Sequence, residues 1–264
     1  MCDLKQYSAI LTVIQIYIDY SNTVNNIHTL YPFGIIVKRE IMPQTTKPKR
    51  RYNSTRRQAQ ANQTRREILL AARKLFSLYG YSGATIDSIA QEAAVASETI
   101  YAVFGNKRNI LAGLIDLSVG GDDRPIPLLQ RAGPQAVLNE SDPVRLLRIF
   151  AQDISVILER VAPVFEVIRM AAKTEPDIAD LLKNMLDQRF KNLAAVTKQL
   201  EALGALREGL DSVQATENIW ITTSPEVFSL LIVDRGWTKE AYADWLSDSL
   251  VRLLLPPQIS QPPE

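Results

Sequence analysis

The side chains that could carry reaction chemistry are few and poorly placed for it. The chain holds one cysteine, Cys2, and one histidine, His28. Thiolate or imidazole catalysis would have to run through those two residues, and a Cys/His zinc site cannot be assembled from them. No glycine-rich phosphate loop, no metal-ligand spacing and no Ser/His/Asp arrangement occurs elsewhere. The paired acids Asp122-Asp123 sit in a Gly/Pro-rich stretch, where a solvated turn is the simpler reading. No catalytic residue, cofactor or metal is therefore expected, and an enzyme with a helical active site ranks last among the functions considered.

What remains is charge. From Pro43 to Lys74 ten basic side chains, Arg56 and Arg57 among them, face a single acid, Glu67. Residues 1–42 balance, and the whole chain sums to only +1, so everything after Lys74 is strongly acidic. A cationic end on an anionic body suits a polyanion partner at that end; the alternative is a solvated basic tail. A lone cysteine allows no intrachain disulfide, which fits a reducing cytoplasm, the expected compartment.

The elements that must position this charge follow from periodicity. Residues 1–41 read unlike the rest. Their apolar run, Ser8–Ile18, is too short to span a bilayer, and no small-residue cleavage site follows it. The expectation is that translation starts at Met42, leaving a disordered basic arm to residue 59. From about Gln60 apolar residues recur at helical spacing (Ile68, Leu69, Ala72, Leu75, Phe76, Tyr79), with Gly80 as a stop. Thr85 offers an N-cap for a short helix through Ile89 and Ala93. Ala94-Val95-Ala96 connects it to a second short helix, Ser97 to Phe104, and Lys107 opens a further helix to about residue 118.

Residues 119–141 hold Gly, Pro and acids without a sustained period and read as a loop. Asp142-Pro143 starts a helix to about Arg160. Pro163 and Pro176 look like first-turn prolines of two more, the second running to Leu203 before Gly204. Asp211 caps a helix through Trp220. Helices over Ser224–Gly236 and Thr238–Leu255 complete a domain spanning 142–256, followed by a tail, 257–264. The fold class is all-α, with an N-terminal helix-turn-helix domain at 60–118 and a larger C-terminal helical domain.

Two-turn helices are unstable alone, because nucleation is costly and few hydrogen bonds follow it. They persist when each packs a face on the other and on a longer brace. Ile86, Ile89 and Ala90 supply one such face, Val95, Ile100 and Phe104 the other, and Leu69 and Phe76 the brace. The outer side of Ser97–Phe104 is then free to enter a groove.

The order of signals in "FSLYGYSGATIDSIAQEAAVASETIYAVFGNKRNIL" resembles the amino-terminal domain of the tetracycline-repressor (TetR) family of transcriptional regulators. The likeness covers about Thr64 to Leu117 and includes Tyr79-Gly80, Thr85, Thr99-Ile100-Tyr101, Phe104 and Lys107. It implies a recognition helix with Ser97, Glu98, Thr99, Tyr101, Ala102 and Val103 on or near the DNA side. It further implies that Thr85, Lys107 and the Tyr101 hydroxyl contact phosphates; for Tyr101 core packing is the alternative. Two departures stand out. Many members place Gly-Val-Ser at the turn where this chain has Ala94-Val95-Ala96, which leaves capping to Ser97 or to nothing. Many also carry an aromatic-His pair where Ala102-Val103 stand, so readout is expected to lean on Ser97, Thr99 and the arm arginines.

The resemblance further implies a ligand-responsive repressor, acting as a homodimer on a palindromic double-stranded operator. Val227, Leu230, Leu231, Tyr242, Trp245, Leu246, Leu250, Leu253 and Leu254 form the expected dimer seam; the alternative is that they close the domain's own core. Phe165, Ile168, Met170, Leu186, Phe190, Trp220 and Phe228 are the expected pocket lining, or else plain core. Few charges interrupt these helices, so a small apolar effector is the expected ligand. A helical protein-interaction module without DNA specificity is the rival function.

Overall fold

Good helix formers and local caps set the elements, and tertiary packing decides which faces they bury. The computed structural model describes residues 54–122 and 124–257, and every regular element among them is helical. Residues 1–53, with Met42, Cys2, His28 and most of the expected arm, lie outside the described residues, as do Asp123 and 258–264.

Helix α1 runs Ser54–Gly83. It starts upstream of the expected boundary, so residues 54–59, with Arg56 and Arg57, are helical and not arm. Between Arg56 and Glu67 no side chain is buried, so this segment shows no apolar period. Its Gln, Ala and Arg residues nonetheless favour helix, and i,i+4 bonds such as Gln63 Nε2 to Glu67 Oε1 (2.8 Å) support it. Gly80 does not end α1 but kinks it, at φ 69° and ψ 177°. Beyond the kink Tyr81, not the expected Tyr79, turns inward; Tyr79 remains 63% exposed.

Helices α2 (Ile86–Glu92), α3 (Ser97–Phe104) and α4 (Lys107–Gly120) follow. The expected loop at 119–141 instead contains a 3-10 turn, Leu128–Gln130, and a short helix α5, Ala132–Leu138. Pro134 hid that helix from the sequence reading. It stands in the first turn, where a missing N–H breaks no helical bond.

Helix α6 spans Pro143–Ala171, capped by Asp142, and continues through Pro163 instead of restarting there. Pro163 and Glu159, the residue whose carbonyl it cannot serve, both lie on the exposed side. Helix α7 is Pro176–Ala202 and α8 is Ser212–Thr222, the latter closed by an Asp211/Gln214 capping box. Helix α9, Pro225–Ser229, passes into a π turn, Leu230–Asp234, and α10 runs Lys239–Leu254 from the cap Thr238.

At 29 residues α6 is about 43 Å long, and it packs against α1, α4, α5, α7, α9 and α10. Two cores form along it. Near its C-terminal end Val164, Ile168 and Ala171 join Ile68, Leu69, Phe76, Ile89, Ile100, Phe104 and Ile110, so the short helices share a core with the larger domain. Toward its N-terminal end Leu146, Leu147, Phe150 and Leu158 pack with Ile219, Phe228, Tyr242, Leu246, Leu250 and Leu254. Ion pairs Lys239–Glu159 (2.9 Å) and Arg169–Glu226 (2.7 Å) fix α10 and α9 to the same spine.

Candidate functional site

The short helices are held by their ends. Thr85 accepts from Ser88 N (3.0 Å) while Ser88 Oγ accepts from Thr85 N (3.0 Å), a reciprocal box that satisfies two N–H groups at the start of α2. At the other end Ala94 adopts φ +52°, Val95 N donates to Ala90 O (3.0 Å) and Ala94 N to Gln91 O (3.2 Å). That is a Schellman close with alanine where glycine is favoured. Helix α3 has no side-chain cap; its N-cap is Ala96. Ser97 does not replace the missing cap. Its Oγ donates to Asp87 Oδ1 at 2.6 Å, tying the start of α3 to the start of α2.

The result is a rigid α3 with two unlike faces. Ile100 and Phe104 are buried, whereas Glu98, Tyr101, Ala102 and Val103 are exposed and Ser97 and Thr99 half-buried. Tyr101, at 55% exposure, is not a core residue. A ring hydroxyl, a threonine and two small apolar groups can meet base edges, thymine methyls and phosphates. No basic side chain lies on α3 itself. Arg56 and Arg57, on the exposed start of α1, are described residues of the basic end.

Lys107, expected at a phosphate, makes two hydrogen bonds within the protein. Its Nζ donates to Tyr81 O (2.8 Å) and Ala84 O (3.1 Å) and stands 4.3 Å from the Tyr81 ring centroid. These are carbonyls at the end of α1, which lack helical donors. Burial lowers the ammonium pKa and, with Asp177 and Glu175 nearby, raises that of the Tyr81 hydroxyl to about 12. Lys107 therefore clamps the kinked end of α1 to the start of α4.

Behind this unit lies a cavity of about 1120 Å³. Helix α1 contributes Arg65 and Leu69, α4 contributes Gly113, Ile115–Leu117 and Val119, and α6 contributes Ile154, Leu158, Val161 and Phe165. Asn184, Met185, Gln188, Arg189, Asn192 and Leu193 of α7 form another wall, and the strap 124–131 covers a side. Arg131 organises that strap, donating to Gly120 O (2.8 Å), Asp122 Oδ1 (3.0 Å), Arg124 O (3.0 Å) and Ile126 O (3.2 Å). Arg160 donates to the carbonyls of Ser118 (2.8 Å) and Val119 (3.3 Å), so two guanidinium groups hold the C-terminal end of α4.

The family model described as "Bacterial regulatory proteins, tetR family" matches residues 68–114, the helix-turn-helix and its flanks. Over that segment the chain is similar to the TetR family. YdeS, an HTH-type transcriptional regulator of Bacillus subtilis (strain 168), is 26% identical over 198 residues, 73% of this chain and 86% of that protein. Two solved structures share the fold. NalD of Pseudomonas aeruginosa, secondary repressor of the MexAB-OprM multidrug efflux pump, has a TM-score of 0.58 at 19% identity over 75% of this chain and 99% of its own. FadR of Bacillus subtilis, in complex with stearoyl-CoA, has a TM-score of 0.58 at 21% identity over 71% and 97%.

Most of the expected pocket residues stand elsewhere. Phe165 lines the cavity. Ile168 is buried in the core under the short helices, and Phe228 packs edge-on to Tyr242 at 4.9 Å in the other core. Met170 is 62% exposed. Trp220 lies 5.2 Å below the Arg189 guanidinium without lining the cavity, and Leu186 and Phe190 are half-buried outside it. Helical periodicity locates an apolar stripe but does not say which of several neighbours it meets. The expected dimer seam is corrected in the same way. Tyr242, Leu246, Leu250 and Leu254 close the protein's own core. Leu230 is exposed, and Val227, Leu231, Trp245 and Leu253 are half-buried. Sequence reasoning missed Val233 (74% exposed), in the π turn, and Trp237 (36% exposed), just beyond it. Among the described residues no helix is long and apolar enough to cross a membrane, and no His/Cys/Asp/Glu group suits a metal.

Proposed function

We propose that this protein is a sequence-specific DNA-binding repressor, working as a homodimer on a two-fold operator and released by a ligand in its cavity. The observation that carries the reading is α3: a short helix with a buried inner face, Ile100 and Phe104, and an outer face on which Glu98, Tyr101, Ala102 and Val103 are exposed. Thr99 and Ser97, with the methyl groups of Ala102 and Val103, supply base readout, and the Tyr101 hydroxyl and Thr85 supply backbone contacts. The exposed residues Leu230, Val233 and Trp237, continuous in sequence with half-buried Val227 and Leu231, favour the π-turn region as the dimer surface.

Ligand response is supported by what the cavity shares with the reading head. Arg65 lines the cavity, and its guanidinium lies 4.5 Å from the ring of Phe104, the last residue of α3. Gly113 beside them leaves room for both, since a Cβ there would stand 3.0 Å from Arg65 and 3.3 Å from Phe104. A ligand that displaces Arg65 shifts the support of α3, and one that binds the two arrangements unequally lowers DNA affinity by that difference.

Selection of bound fragments from random duplex DNA tests the reading. An enriched inverted repeat, bound with an affinity that falls steeply between low and moderate salt, is the expected result. No enrichment, or binding indifferent to salt, would instead favour the protein-interaction module.

A further inference from the structure

The effector cavity is not uniformly apolar. Six ionisable side chains line it: Arg65, Asp116, Asp122, Arg124, Arg131 and Arg189. Two acids and three of the bases account for one another. Asp122 pairs with Arg124 at 2.6 Å and with Arg131 at 3.0 Å. Asp116, whose pKa burial raises, is attracted to Arg65. Arg189 is different. No carboxylate among the described residues forms an ion pair with it, and the acid that acts on it, Glu226, is paired with Arg169 at 2.7 Å.

Its hydrogen bonds are as informative as its charge. Nη2 donates to Trp220 O (2.7 Å) and Thr223 Oγ1 (2.9 Å), which fixes the plane of the guanidinium over the Trp220 ring. An arginine has five N–H donors. The three on Nε and Nη1 have no protein acceptor among the described residues, yet no buried side-chain nitrogen or oxygen lacks a partner. Those donors therefore face accessible space, and the space Arg189 lines is the cavity. Burial lowers this guanidinium to about 10, so it stays charged at neutral pH in a setting that penalises the charge. Asn184, Gln188 and Asn192, four residues apart on α7, extend the polar stripe on either side. The part of the lining that α6 supplies is apolar, including Ile154, Leu158 and Phe165.

We infer that the cavity takes an anionic amphiphile, its head held by the Arg189 fork and the α7 amides and its apolar body lying along α6. The inference rests on the ligand-responsive reading above and replaces the small apolar effector expected from sequence. A fatty carboxylate and an alkyl phosphate share the needed chemistry.

Calorimetric titration of the full-length, DNA-free protein with palmitate, hexadecyl phosphate, hexadecanol and hexadecyltrimethylammonium tests it. A charge-assisted hydrogen bond is worth roughly 1.5–3 kcal/mol, so one of the anions should bind at least about tenfold more tightly than hexadecanol. Whichever anion binds more tightly identifies the source. Arg189→Met should bring anion and alcohol to similar affinity while hexadecanol still binds, and Arg189→Lys should restore part of the difference. Equal binding of anion and alcohol by the wild-type protein, or a preference for the ammonium, overturns the inference. A preference that survives Arg189→Met does so as well. Should Arg189→Met not fold, Gln188→Leu and Asn192→Leu should narrow the preference, and an undiminished one counts against it. Operator affinity is measured separately, so a failure of DNA binding and a failure of anion binding appear in different experiments.

Discussion

Ala94 occupies a backbone conformation that costs an L-residue about 1–2 kcal/mol. A glycine there would relieve that cost, at the expense of a more flexible unfolded chain. Ala94→Gly is expected to raise stability by about 0.5–1 kcal/mol in urea unfolding; a decrease would mean that the turn is not left-handed in solution. One position on, Ala96 leaves the first N–H groups of α3 without a side-chain acceptor. Ala96→Ser supplies one and should add about 1 kcal/mol, with the gain confined to the helix-turn-helix in hydrogen exchange. Lys107 offers the contrasting case. Removing its two carbonyl bonds in Lys107→Met is expected to destabilise the protein by about 2–3 kcal/mol. The slope of DNA affinity against salt should stay unchanged, whereas a direct phosphate contact would reduce that slope by about one unit.

At the scale of elements, the helices that announced themselves are those with local punctuation. Thr85, Asp142, Asp211 and Thr238 each accept the hydrogen bond expected of an N-cap. The features that stayed hidden depend on neighbours distant in sequence. The exposed start of α1 carries no apolar period, Pro163 reads as a break although α6 passes through it, and Tyr81 rather than Tyr79 faces inward only because of the Gly80 kink. Facing was the weakest inference of all. Phe228 and Tyr242 lie on stripes that suit a pocket or a seam equally well, and both fill the core. A charged residue on an amphipathic helix usually faces solvent, and nothing in the local sequence marks Arg189 as turned inward. The connection between α1, the cavity and α3 also belongs to this scale. Arg65→Met, which removes the charge near Phe104 but keeps a similar stem, should leave ligand affinity within about threefold while weakening the ligand's effect on DNA binding by about 1 kcal/mol. Full retention of that effect, in paired titrations with and without operator, would remove Arg65 from the connection.

For the whole molecule, one reading head reaches only a short site, and discrimination requires two. Leu230→Asp with Val233→Asp places charge on the exposed apolar patch without touching either core. Sedimentation should then show a monomer, with near-wild-type helicity and loss of most operator affinity. A dimer that persists would move the interface to another face, such as that bearing Val213 and Ile221 on α8. Charge acts at the same scale: a basic segment followed by an acidic remainder would orient the approach to a polyanion.

Directed cleavage tests the central claim most directly. In a Cys2→Ser background, Tyr101→Cys provides a single exposed attachment point on the outer face of α3 for an iron-chelate cleavage reagent. On operator DNA the account predicts two clusters of strand scission, related by the two-fold axis and separated by about 34–36 Å or a multiple of that distance. Scission no different from that of free reagent, or scattered without symmetry, would contradict the placement of α3 in the groove.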